Sequence, residues 1–156
     1  MVLHFPDQLR RSLPGSFITL SAGVTYYELA GQLDWSLVVL IHGLSVPSYI
    51  WEPTFKALAR AGFCVLRFDL FGRGYSDRPK AAYTLTFFVN QLCELLETLN
   101  LRQSLSVVGL SMGGPVAADF ALRRAACAGT ADCSLGDARF RARHASGGLS
   151  TPAGKC

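Results

Sequence analysis

A serine framed by glycines, Gly109-Leu110-Ser111-Met112-Gly113-Gly114, joins an apolar run to a stretch with helical spacing. So tight a corner imposes strained backbone angles on its central residue, and side chains two positions to either side would collide. Gly109 and Gly113 remove that collision. A helix starting at Gly113 would turn its positive end and first N–H groups toward Ser111, a setting that favours developing negative charge. The chain must therefore place a strand and a helix end to end, which calls for layers of both.

The preceding residues agree. Ser16–Leu20 and Val24–Leu29 are short runs rich in β-branched and aromatic residues, and Ser21-Ala22-Gly23 between them predicts an antiparallel hairpin. Leu37–Ile41, Phe63–Phe68 and Ser104–Val108 read as strands apolar on both faces, the pattern of a parallel sheet. Helical spacing covers Trp51–Ala61, with Pro53 in the first turn and Gly62 as the stop. Thr84 is placed to cap a helix whose Leu85, Phe88, Val89, Leu92, Leu95, Leu96 and Leu99 form one core-facing stripe. A last helix runs from Gly113 to about Arg124. Strands alternating with helices after an opening hairpin define an α/β domain with a mainly parallel sheet.

Charge divides the chain. Residues 1–122 hold nine Lys/Arg against nine Asp/Glu, so the net charge of +4 comes wholly from positions 123–156. Basic residues confined to a tail do not make a nucleic-acid groove. Half of the residues are hydrophobic, yet no run approaches the length of a bilayer, so neither a nucleic acid nor a membrane is expected as partner. Cys64, Cys93, Cys127, Cys133 and Cys156 show neither a metal-ligand spacing nor a Cys-x-x-Cys pair. Free thiols fit a reducing compartment, and the first residues lack the profile of a secretion signal, so a cytoplasmic protein is expected. Residues 1–15 read as an N-terminal extension and 16–124 as the partial domain. Residues 125–156 contain no Val, Ile, Met, Trp or Tyr and show no apolar period, so they read as a disordered or aberrant tail. A frameshift or unspliced segment would look like this, and so would a genuine extension.

Two further loops fall where parallel sheets build their sites, directly after strands: His42-Gly43-Leu44 and Asp69-Leu70-Phe71-Gly72-Arg73-Gly74-Tyr75-Ser76. With the serine corner, their order and spacing from Ser16 to Arg124 closely resemble the α/β-hydrolase superfamily, in particular its esterase, C–C hydrolase and non-haem peroxidase-like members. The resemblance implies Ser111 as nucleophile, with the backbone N–H groups of Leu44 and Met112 as the oxyanion hole. It implies that His42 and Gly43 shape the oxyanion loop, so that His42 is not the general base. Asp69, Arg73 and Ser76 would hold their own loop, with Gly72 and Gly74 supplying its turns, and Trp51 would pack at the pocket edge or in the core. Epoxide hydrolases and haloalkane dehalogenases of this fold carry aspartate at the nucleophile position, so serine here implies ester or activated C–C hydrolysis through an acyl-serine. No cofactor and no metal are implied, since serine, imidazole and backbone donors suffice. The expected partner is a small-molecule substrate.

The triad of such an enzyme continues with an acid and then a histidine. After Ser111 the carboxylates are Asp119, Asp132 and Asp137 and the histidine is His144. Asp119 lies about 12 Å along the helix axis from Ser111, at 1.5 Å per residue. Asp132 or Asp137 with His144 would need two strands and their crossovers within too few residues. The chain therefore reads as the N-terminal part of a hydrolase, incomplete at its C-terminus, aggregation-prone and inactive alone. The alternative is a non-catalytic product or interaction module, and acyl transfer to another acceptor would use the same serine.

Overall fold

The computed structural model describes Arg10 and residues 12–127, of which Ala126 and Cys127 are described in backbone only. Strands β1 (Ser16–Leu20) and β2 (Gly23–Ala30) form the opening hairpin, in the register Ser16 opposite Tyr27 and Leu20 opposite Gly23. Strands β3 (Leu37–Ile41), β4 (Cys64–Phe68) and β5 (Leu105–Gly109) follow, separated by helices α1 (Glu52–Arg60) and α2 (Leu85–Thr98), and helix α3 (Gly113–Cys127) comes last. A single 3-10 turn, Ser48–Trp51, leads into α1. The predicted elements all occur, with ends displaced by a residue or a few. The sheet order is β1-β2-β4-β3-β5. The hairpin joins β4 antiparallel, whereas β4, β3 and β5 run parallel, so the sheet is mixed.

Helices α2 and α3 cover one face. Val39, Ile41, Leu66 and Phe68 pack there with Phe88, Leu92, Val116 and Phe120. Each such buried side chain contributes about 1.5–3 kcal/mol. Thr84 caps α2 by accepting from the Phe87 N–H. Leu85, part of the predicted stripe, is 42% exposed instead, at the first residue of α2. Helix α1 covers the other face through Phe55, over Val38, Leu40 and Val65. Arg67 of β4 is also buried there, its Nη2 donating to Glu28 at 2.7 Å and pairing with Glu52. Its guanidinium stacks 4.5 Å above the Phe55 ring, which makes a charge tolerable between sheet and helix.

One strand departs from expectation. The apolar run predicts burial of β5 on both faces, but Ser106 and Val108 are exposed and only Leu105 is buried. β3 is its only strand partner among the described residues, and the core under α1 gathers on Val38, Leu40 and Val65 of β3 and β4.

Candidate active site

β5 ends at Gly109 and α3 begins at Gly113, leaving three residues to reverse the chain. Ser111, at the apex, has φ +51° and is exposed. That left-handed conformation costs a non-glycine residue roughly 1–2 kcal/mol. The turn is closed by Gly113 N–H donating to Leu110 O (2.8 Å) and Gly114 N–H to Ser111 O (2.9 Å). Leu110 N–H donates to Ile41 O at 3.0 Å, which stitches the corner to the end of β3. A Cβ on Gly109 would run into the Gly113 carbonyl, and one on Gly113 into the carbonyls of Ile41 and His42. Both contacts are with backbone, which has nowhere to move. The corner therefore requires glycine twice.

The loop after β3 lies against this apex. A Cβ on Gly43 would stand 3.2 Å from Ser111 Cβ and 3.7 Å from its Oγ. The next residue, Leu44, and Met112 beyond the serine each carry a backbone N–H that no hydrogen bond takes up among the described residues. The Leu44 and Leu110 side chains are 52% and 43% exposed, giving the surroundings of Ser111 an apolar surface.

His42 is fully buried, with both ring nitrogens engaged. Leu70 N–H donates to Nε2 at 2.9 Å, so Nε2 is the acceptor, and Nδ1 donates to Gly43 O at 2.6 Å. This network assigns the neutral tautomer with the proton on Nδ1. Burial holds the imidazole pKa below its ordinary range, against the opposing effects of the Gly43 carbonyl and Asp69. With its free lone pair taken by Leu70, His42 has none to offer a serine proton.

The loop after β4 is held by a dense set of bonds. Asp69 accepts from Ser48 N–H and from Tyr75 N–H, both at 2.8 Å, and so ties the loop after β3 to the loop after β4. Ser76 Oγ donates to Asp69 O and accepts from Tyr26 N–H. Gly72 (φ +79°) and Gly74 (φ +48°) turn the chain, and a Cβ on Gly74 would run into the Asp69 carboxylate. Arg73 reaches outward, its Nε donating to Leu44 O at 2.8 Å and its Nη1 to Gly72 O at 2.9 Å. Gln91 of α2, which no motif in the sequence marks, braces the loop from beneath. Its Oε1 accepts from Phe71 N–H at 2.9 Å, and its Nε2 donates to Thr25 Oγ1 and Asp69 O. The available signal was a polar residue at buried-face spacing between Phe88 and Leu95.

Trp51 packs with the α1-side core. Asp119 pairs with Arg123 at 2.7 Å, one turn along α3. Asp132, Asp137, His144, Cys133 and Cys156 lie outside the described residues, and the Cys127 side chain is not described. Cys64 is a buried free thiol. Among the described residues no cluster of His, Cys, Asp and Glu could hold a metal ion, and no helix is long and apolar enough to cross a membrane.

The fold has counterparts among known proteins. The model of the alpha/beta hydrolase fold family matches residues 36–128, and the chain belongs to that family. It is similar to epoxide hydrolase B of Mycobacterium tuberculosis, with 37% identity over 102 residues, covering 64% of this chain and 28% of that protein. A putative non-heme chloroperoxidase of Synechocystis is 35% identical over 88 residues, covering 56% of this chain and 31% of its own length. The crystal structure of the enol-lactonase from Burkholderia xenovorans superposes with a TM-score of 0.65 at 30% identity, over 70% of this chain and 42% of that one. The chain thus spans about a quarter to a third of the length of the curated relatives it matches.

Proposed function

We propose that Ser111 is the nucleophile of a serine-dependent hydrolase acting on an ester or an activated carbon–carbon bond through an acyl-serine. One observation carries the reading: Ser111 holds φ +51° at an exposed corner, with the Gly43 backbone packed against it. That geometry lifts the hydroxyl clear of the helix. It also leaves the Leu44 and Met112 N–H groups on the loops beside it, suited to the oxygen of a tetrahedral intermediate. Preorganised donors of this kind are worth about 3–4 kcal/mol of transition-state stabilisation each.

The similarity to an enol-lactonase supports acyl chemistry, while the similarity to an epoxide hydrolase leaves other substrates within the fold's reach. Serine rather than aspartate at position 111 favours the former. Leu44 and Leu110, with neutral charge over residues 1–122, suit a small uncharged or weakly acidic substrate. In this reading the base that takes the serine proton, and the carboxylate that orients it, come from outside the described residues, because His42 is committed elsewhere. The reading needs no metal or organic cofactor.

Treatment of the chain with an activated fluorophosphonate tests the proposal. Slow covalent labelling, lost in Ser111→Ala, is the expected result, because oxyanion donors alone leave residual activation where no base is supplied. Absence of any Ser111-dependent labelling in the folded chain after prolonged exposure would leave a non-catalytic interaction module as the better description.

A further inference from the structure

The loop after β3 is pinned at two buried points, His42 to Leu70 and Ser48 to Asp69. Between them lies Leu44, whose side chain is largely exposed and contributes little packing. What holds this residue is a single side chain from the neighbouring loop. Arg73 Nε donates to the Leu44 carbonyl at 2.8 Å while Nη1 donates to Gly72 O at 2.9 Å, so one planar group spans both loops. The strut is itself anchored. Arg73 N–H donates to Leu70 O, and Gly72 N–H to Asp77 O, each at 2.9 Å, closing the turn from which the guanidinium projects. No carboxylate pairs with Arg73 among the described residues, and its positive charge is felt at His42 beneath the same loop.

We propose that Arg73 is a positioning residue for the oxyanion hole, holding the Leu44 carbonyl so that the Leu44 N–H stays aimed at the oxygen developing beside Ser111. The inference rests on the hydrolase reading. The rigid guanidinium fork, with donors in fixed relative directions, suits a brace between two carbonyls better than a flexible ammonium. Fixing the Leu44 carbonyl limits ψ at that residue and, through the short link to the buried His42, limits φ as well. The donor is then in place before charge appears, which is when preorganisation counts.

Two measurements on the full chain separate this role from a structural one and from the parent reading. The backbone order parameter of the Leu44 amide, from nitrogen-15 relaxation, is compared in the native chain, Arg73→Met, Arg73→Gln and Arg73→Lys, alongside urea unfolding. The expected result is a fall at Leu44 from the rigid range, about 0.85, toward about 0.6 in the Met and Gln variants, with partial recovery in Lys and an unfolding midpoint close to native. A native-like Leu44 order parameter in a folded Met or Gln variant overturns the proposal. So does an equal fall spread over residues 69–77, which would mark a loop-structural role. If Arg73→Met does not fold, the Gln and Lys variants give the same reading. Fluorophosphonate labelling of Ser111 supplies the second arm, with about tenfold slower labelling expected in Arg73→Met. Native-rate labelling in that variant overturns the Arg73 proposal and leaves the hydrolase reading intact. Failure to label the native chain removes the hydrolase reading, and with it the functional claim for Arg73.

Discussion

The Nε2 atom of His42 accepts a hydrogen bond from the backbone N–H of Leu70 at 2.9 Å, so the imidazole of one loop fixes the backbone of the next. A protonated ring would turn a second N–H toward Leu70 and break that clamp. Folded His42 therefore resists protonation, and burial works in the same direction.

The consequence is a pH dependence of stability. Above pH 6.5, the ordinary histidine value, the ring is neutral in both folded and unfolded chains, and the clamp contributes fully. As pH falls through that value the unfolded chain takes up a proton that the folded ring refuses, and stability declines until the folded ring also titrates. One proton limits the slope to about 1.4 kcal/mol per pH unit. Urea midpoints measured between about pH 7.5 and 5.5 should fall in the native chain and stay flatter in His42→Gln, itself less stable at the upper end.

The three glycines of the corner should behave differently. Gly109→Ala and Gly113→Ala each drive a methyl group into backbone carbonyls and should cost about 2–3 kcal/mol. Gly114→Ala meets nothing within 4 Å and lies in α3, so it should be neutral or gain up to about 1 kcal/mol. Chemical denaturation of the three variants checks the order. Equal losses would mean that the corner is looser than the contacts indicate.

Strain at Ser111 predicts an opposition between stability and labelling. Ser111→Gly relieves the left-handed backbone and should raise stability by up to about 1 kcal/mol. Ser111→Ala keeps the strain and should leave the midpoint within about 0.5 kcal/mol of native. Ser111→Val adds a β-branched side chain to that conformation and should destabilise. All three should abolish fluorophosphonate labelling, whatever they do to the unfolding midpoint.

Gln91→Leu should be among the more damaging conservative-volume changes. It strands the Phe71 N–H and removes the partner of Thr25 Oγ1, both buried, at a cost of about 1–3 kcal/mol. Exchange at the Phe71 amide should accelerate with it. Thr25→Val removes only one acceptor of the Gln91 amide and should cost less.

The sheet, the helices and the placement of the three loops were legible because they rest on local pattern. Leu37–Ile41 has no polar residue to hide, and Gly109 and Gly113 mark a collision that any tight strand–helix turn would meet. What escaped was pairing over distance. Arg67 sits inside a run read only as a buried strand, and its partners Glu28 and Glu52 lie on a different strand and a helix. Gln91 stands 66 positions from Thr25, and His42 stands 28 from Leu70. Nothing in local spacing records such contacts, because the fold alone brings them together. The exposure of β5 escaped for the converse reason, since an apolar run says that a strand can be buried but not which neighbours cover it.

The corner at Ser111 also bears on how such a site can change over generations. Positions 109 and 113 are closed to substitution by backbone crowding, but the apex residue is exposed. A left-handed backbone admits aspartate and asparagine more readily than most residues. A single replacement at the apex could therefore change the group presented there while the frame stays put, and under the proposed function that would let reaction type drift where architecture cannot.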